Sequence, residues 1–257
     1  MFYKYVKIYF KTHTMKKILF LTTLCCFSLL SYAQNQSTDN RWAAYGFSVA
    51  VEDEAEFVQL MDDYFSKNKT PVTNVMLFDI MHAPDDFQHT HEVVITGSID
   101  TMSDNFSPSS FDEAWGKFRL KVSKLITPGF QAVGSRAMEF GDDSKEYPYQ
   151  SVHTFSIDSE NRRKWNRMVR KLRTKYPRTK SAFATGNIRM GGHDNSNTWI
   201  LRSFQSYKDF LTDWNDRQAF RKNNPEFVEE QSKMNEDIDY SEAESKLRFM
   251  RLLLKQW

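Results

Sequence analysis

The sequence predicts an α+β fold of two tandem βαββαβ units, each an antiparallel sheet with both helices on one face. Three observations lead there. Segments of alternating apolar residues and segments of helical periodicity follow one another as strand, helix, strand, strand, helix, strand. That order runs once from Tyr45 and again from Tyr149. Landmarks also recur between the copies. Val51-Glu52-Asp53 answers Ile157-Asp158-Ser159, Pro71 answers Pro177 at 106 residues, and Phe111-x-x-x-Trp115 answers Phe210-x-x-x-Trp214 at 99 residues.

In the first copy the strands are YGFSVAV (45–51), VTNVMLFDIMHA (72–83), THEVVITGSI (90–99) and QAVGSRAMEF (131–140). Its helices are EDEAEFVQLMDDYFSKN (52–68) and SSFDEAWGKFRLKVSKLI (109–126), with an extra loop before the second. The second copy repeats this, with strands at 149–157, 180–190, 197–204 and 245–254 and helices at 158–176 and 207–220. In its first helix Trp165, Met168, Val169, Leu172 and Tyr176 form one stripe. Asp158 or Ser159 can cap that helix and Pro177 ends it. A longer segment follows the second helix of this copy, and the strand segments VHTFSI and LRFMRLLL alternate with a period near two.

Ahead of the repeat, Met15 opens MKKILFLTTLCCFSLLSYAQ: two lysines, an apolar run to Leu30, and small residues before Gln34. This predicts a secretory signal over residues 1–33, with the true start at Met15 and a periplasmic or secreted protein as product. The apolar run is too short to span a bilayer comfortably. Both cysteines, Cys25 and Cys26, lie within it, so the mature chain has no thiol. Removing residues 1–33 leaves 30 Lys+Arg against 33 Asp+Glu, a net charge of −3, which is not the balance of a nucleic-acid binder. Residues 34–146 carry 9 basic against 19 acidic residues, and residues 147–257 carry 21 against 14. Ten basic residues fall between Arg162 and Lys180 with no acid among them, so the expectation includes salt-sensitive self-association or an acidic envelope partner.

Two such copies in one chain resemble the dimeric α/β-barrel superfamily in its tandem, single-chain form, across residues 43–257. The resemblance implies ferredoxin-like units at 43–146 and 147–257 whose sheets pack as an α/β barrel and enclose a pocket. That superfamily holds cofactor-free monooxygenases, haem-dependent enzymes and members that only bind, so the fold does not select an activity. The histidine arrangements of its haem-using members have no residue-by-residue match in this chain.

Six side chains are candidate ligand contacts. HAPDDFQHTHEV (82–93) has three histidines and three acids, and a hairpin symmetric about Asp86–Phe87 would set His82 opposite His91, close enough to share a metal. A slip of one residue would separate them, and a polar hairpin is the simpler reading. His153 alternates with Phe155 and Ile157, and Asn187 and Arg189 share a strand face with Phe183. Arg202 alternates with Ile200 and Phe204, and an arginine among apolar strand neighbours must meet an acid or wait for an anion. Gly191-Gly192 marks a tight turn in the matching hairpin, and Trp199 reads as core.

Neither a nucleophile motif, a phosphate loop nor zinc spacing is present. The sequence therefore leads to the expectation of an exported protein that binds a small molecule or a partner without catalysis and without a cofactor. The alternatives are a cofactor-free or haem-dependent oxygenase of the same superfamily and an envelope interaction module. Haem or a divalent metal enters only with those alternatives.

Overall fold

The computed structural model describes residues 40–68, 74–142, 144–178 and 180–257. The expected signal, Met15, both cysteines and Pro71 lie outside the described residues. The strands are β1 (Arg41–Val49), β2 (Asn74–His82), β3 (His91–Gly97), β4 (Ile126–Phe140), β5 (Tyr149–Ser156), β6 (Ser181–Gly191), β7 (Thr198–Phe204) and β8 (Glu244–Gln256). They close into one antiparallel barrel in the order β1-β3-β2-β8-β5-β7-β6-β4. Each copy keeps the order fourth, first, third, second strand. The two sheets join where β2 meets β8 and where β4 meets β6. Closure leaves no open sheet edge, and the expected ferredoxin-like, barrel-forming architecture is the one observed.

The period of two decides what faces where. Ala44, Phe78 and Val94 point into the barrel, while Ala43, Phe47, Leu77, Val93 and Ile95 point outward. The outward set packs against Phe57 and Met61 of α1 (Glu54–Lys67), and α1 presents them one helical turn apart. One helix stands where loop was expected, and another in the segment left unassigned. In the first copy α2 (Ile99–Asn105) starts on Ser98, whose hydroxyl accepts from the Thr101 N–H, and buries Met102. α3 (Glu113–Val122) follows, capped by Asp112. β4 then begins five residues earlier than expected. Pro128 fits there because the β1–β4 register shifts between Tyr45 and Phe47.

In the second copy α4 (Ser159–Lys175) is capped by the Asp158 carboxylate, which accepts from the N–H groups of Glu160 and Asn161. Its stripe meets α6 (Pro225–Glu236), which lies in the segment left unassigned above: Met168 and Leu172 bury with Phe227 and Ile238. Lys171 and Lys175 both pair with Glu230 of α6. Part of the basic run is thus answered within the chain. α5 (Tyr207–Asn223) differs from the other long helices in having no buried residue.

The hairpin register departs from the symmetric expectation. His91 pairs with Asp79, and His82 pairs with Met250 of β8 after an irregularity between Ile80 and His82. The cause is Phe87. It is buried at the barrel end, stacked on Phe249 at 5.0 Å and tilted against Phe130 at 5.9 Å. Drawing that ring inward makes the loop asymmetric and moves the two imidazoles apart. Among the described residues no helix is long and apolar enough to cross a membrane.

Candidate active site

α5 touches the sheet at its start and stands off it further along. Phe210 sits edge-on to Phe204 of β7, with ring centres 5.7 Å apart. The residues that follow on the same helix face, at spacings of three, four and seven, are Asp213, Trp214 and Arg217. Two charged groups on the face turned to the sheet prevent the helix from closing on it. The gap is a cavity of about 610 Å³, floored by outward residues of β5, β7 and β8 and walled by α5.

Three of the six candidate residues meet here: His82, His153 and Arg202 all line this cleft. The floor adds Arg248 and the wall adds Arg217. The Asp213 carboxylate lies 3.4 Å from Arg202 and 3.0 Å from Nε of Arg217. Arg202 thus meets an acid, the first of the alternatives raised for it, and that acid is shared with a second guanidinium group. His153 Nε2 lies 2.9 Å from the Ser245 hydroxyl, and His82 Nε2 lies 3.0 Å from the Tyr207 hydroxyl.

The electrostatics follow from burial and crowding of like charge. Burial, then Arg248 and Arg202, push the His153 pKa down to about 4, so its imidazole is neutral near pH 7. Burial and the neighbouring Arg217 lower Arg202 to about 10, with Asp213 opposing. Just behind, Arg173 lies over the Phe183 ring at 4.4 Å and is lowered to about 9, mainly by burial. The cleft is a cationic pocket with a neutral imidazole on its floor and aromatic rings, Phe210 and Trp214, on its wall.

The other three candidates lie elsewhere. His91 is buried beneath α1 between Phe47 and Phe57, and its Nε2 is 3.6 Å from Glu54. Burial lowers its pKa, against the pull of Glu54 and Asp79. Asn187 stands in β6 between Ser135 and Thr198, and Arg189 is exposed further along that strand. Neither lines the cleft. The shared metal imagined for the hairpin has no geometry behind it, and no group of three His, Cys, Asp or Glu is gathered among the described residues. Arg248 was missed: its neighbours on the same strand face are Lys246 and Met250, so it lacks the all-apolar setting that marked Arg202. Asp213 and Arg217 needed the tertiary position of α5.

No protein-family model matches the chain, and no curated protein sequence matches it. Solved structures do. A protein named as a monooxygenase from Fusobacterium nucleatum superposes with a TM-score of 0.53 at 14% identity, over 86% of this chain and 95% of that one. A second so named, from Lactobacillus acidophilus, gives 0.50 at 12%, over 84% and 100%. A chlorite dismutase variant from Candidatus Nitrospira defluvii, in complex with cyanide, gives 0.50 at 8%, over 86% and 92%. The likeness is one of fold. These neighbours carry the names of enzymes, which goes against the expectation of a non-catalytic binder.

Proposed function

We propose that the chain is an oxygenase that works without haem, on an anionic aromatic substrate bound in the cleft between α5 and the β5–β7–β8 face. The observation that carries this is the convergence of Arg202, Arg217 and Arg248, opposed by Asp213, around the neutral imidazole of His153. Guanidinium forks match a carboxylate or phenolate, and the Phe210 and Trp214 rings suit a flat partner. A cavity of about 610 Å³ is ample for a ligand of two or three fused rings.

The chemistry asked of the protein is modest. Burial, then Arg248 and Arg202, depress the His153 pKa, and the field of the two arginines also lowers the pKa of an acidic C–H or O–H placed beside them. A weak base then suffices. In the tautomer where Nε2–H donates to Ser245, Nδ1 of His153 accepts that proton. The electron-rich carbon reacts with dioxygen: a CH₂ group becomes a carbonyl with one oxygen atom, and the other leaves as water with the two hydrogens. The four electrons come from the substrate, so no external reductant enters.

Haem asks for something this cleft does not offer. An axial ligand must present a free ring nitrogen; the Nε2 atoms of both histidines are held by hydroxyl groups, and Nδ1 of His153 is the atom that the proton transfer uses. The facing helix presents Phe210, Asp213, Trp214 and Arg217. The donor set does not fit haem, and titration with hemin should produce no Soret shift. Binding of hydroxynaphthoate tests the cleft itself: the reading requires saturable binding that Arg202→Gln and Arg248→Gln weaken, and unchanged binding in both variants would remove its basis. Export, expected from residues 1–33, is part of the same proposal: an enzyme that acts outside the cytoplasm.

A further inference from the structure

We infer that the barrel interior is a second ligand chamber, separate from the cleft and suited to an uncharged, largely apolar molecule with one polar end. An eight-stranded barrel is just wide enough either to be filled by its own side chains or to hold one small ligand. Here the inward positions include Ala44, Ala132, Ala182, Thr154 and Ser203, too small to fill it, and a cavity of about 560 Å³ remains. Trp42, Phe130 and Trp199 are among its walls, and Arg136, Glu139, Lys145 and Glu146 add a charged stretch, with Arg136 paired to Glu139. Phe87 packs against Phe130 near His193 at one end, and the connection between the two halves, Lys145 to Pro148, lines the other.

A second polar cluster on the wall is built on two buried charged residues, Glu92 and Arg251. Arg251 donates from Nε and from one terminal nitrogen to the Gln150 side-chain oxygen, at 3.0 and 2.7 Å, and from the other terminal nitrogen to the Glu92 carboxylate. All three residues line the chamber. Charge is balanced within the cluster, so an ion has nothing to pair with there. Hydrogen-bonding capacity is left over: two of the five guanidinium N–H groups, the Gln150 amide N–H groups and the second Glu92 oxygen. That complements an amine, alcohol, phenol or ketone and disfavours a carboxylate or ammonium group.

Alternation along the strands keeps the two sites apart. On β7, Trp199, Leu201 and Ser203 face the chamber while Ile200, Arg202 and Phe204 face the cleft. The same strands thus present a neutral apolar surface inside and a cationic one outside. The chamber does not depend on the oxygenase reading.

The test uses the full chain and phenylnaphthylamine, an uncharged fluorescent probe with a single N–H. The expected result is saturable binding of one molecule per chain with enhanced emission. Binding should weaken at least about tenfold in Ala132→Phe, which fills the chamber, and should be unaffected in Arg202→Gln, which alters only the cleft. Should the filling variant fail to fold, nitrogen-15 spectra of the wild type decide: the indole N–H signals of Trp42 and Trp199 shift on titration while that of Trp214 stays. Absence of saturable binding, unchanged binding in a folded Ala132→Phe, or a shift confined to Trp214 would each overturn the inference.

Discussion

The Arg251 guanidinium of β8 crosses the face of Phe78 on β2, 3.9 Å from the ring centre, to reach the Glu92 carboxylate on β3, 159 positions away in sequence. Three neighbouring strands are thereby tied from the inside, across the β2–β8 junction of the two sheets. Both charged groups are buried, and the Gln150 side chain satisfies two more of the arginine N–H groups.

Breaking that pair should be expensive and removing it should not. Arg251→Met leaves a buried carboxylate without its partner, and a loss of about 3–5 kcal/mol is expected in urea unfolding. The double change Glu92→Leu with Arg251→Met should recover most of it, because neither charge then needs solvation. A double variant as unstable as the single one would mean that the pair does more than answer its own burial.

How much of this was legible in the sequence depends on the distance over which each contact acts. The α4 stripe, its Asp158 cap and the inward–outward alternation of β7 are local, and they were read correctly. The cover on that stripe was not, because Phe227 belongs to a segment whose role appears only once α6 is in place. His82 and His91 were set opposite each other on an assumed symmetric loop, and the burial of Phe87 displaced them. Arg202 could be singled out because its strand neighbours are apolar, whereas its partner Asp213 is placed by a helix that stands away from the sheet. Arg251 needed only the argument already applied to Arg202.

Acid should weaken the fold through His153. Its folded pKa of about 4 lies below the ordinary histidine value of 6.5, so between those values the unfolded chain binds a proton that the folded chain refuses. Stability should therefore fall as pH drops from about 6.5 to about 4. His91, also lowered by burial, acts in the same direction. His153→Gln should flatten part of that slope in thermal unfolding across the window. A slope identical to that of the wild type would show that His153 titrates normally.

Asp213 holds back the anion site. Freed of it, Arg202 and Arg217 offer their full charge, and Asp213→Asn should tighten hydroxynaphthoate binding. Arg202→Gln should loosen it by about ten- to a hundredfold, the worth of one charge-assisted hydrogen bond. Fluorescence titration of the two variants reads both signs, and an Asp213→Asn protein that binds more weakly would assign the carboxylate to ligand contact instead.

The basic helix remains a proposed association surface, narrowed by the pairing of Lys171 and Lys175 with Glu230. Changing Arg163, Arg167, Arg170 and Lys171 to Gln should abolish any association seen by sedimentation at low salt. Raising salt should do the same to the wild type, since screening acts over about 8–10 Å. Association unchanged by either treatment would remove these residues from any interface.

Oxygen uptake by haem-free, metal-free protein, measured against a panel of phenolic and enolisable aromatic acids, tests the oxygenase assignment most directly. The expected result is uptake of one O₂ per substrate consumed with at least one member of the panel, undiminished by chelator, unaltered by added hemin, and reduced at least about tenfold in Arg202→Gln and in Arg248→Gln. No substrate-dependent uptake across a panel whose members bind the cleft, or uptake that appears only after hemin is added, would contradict it.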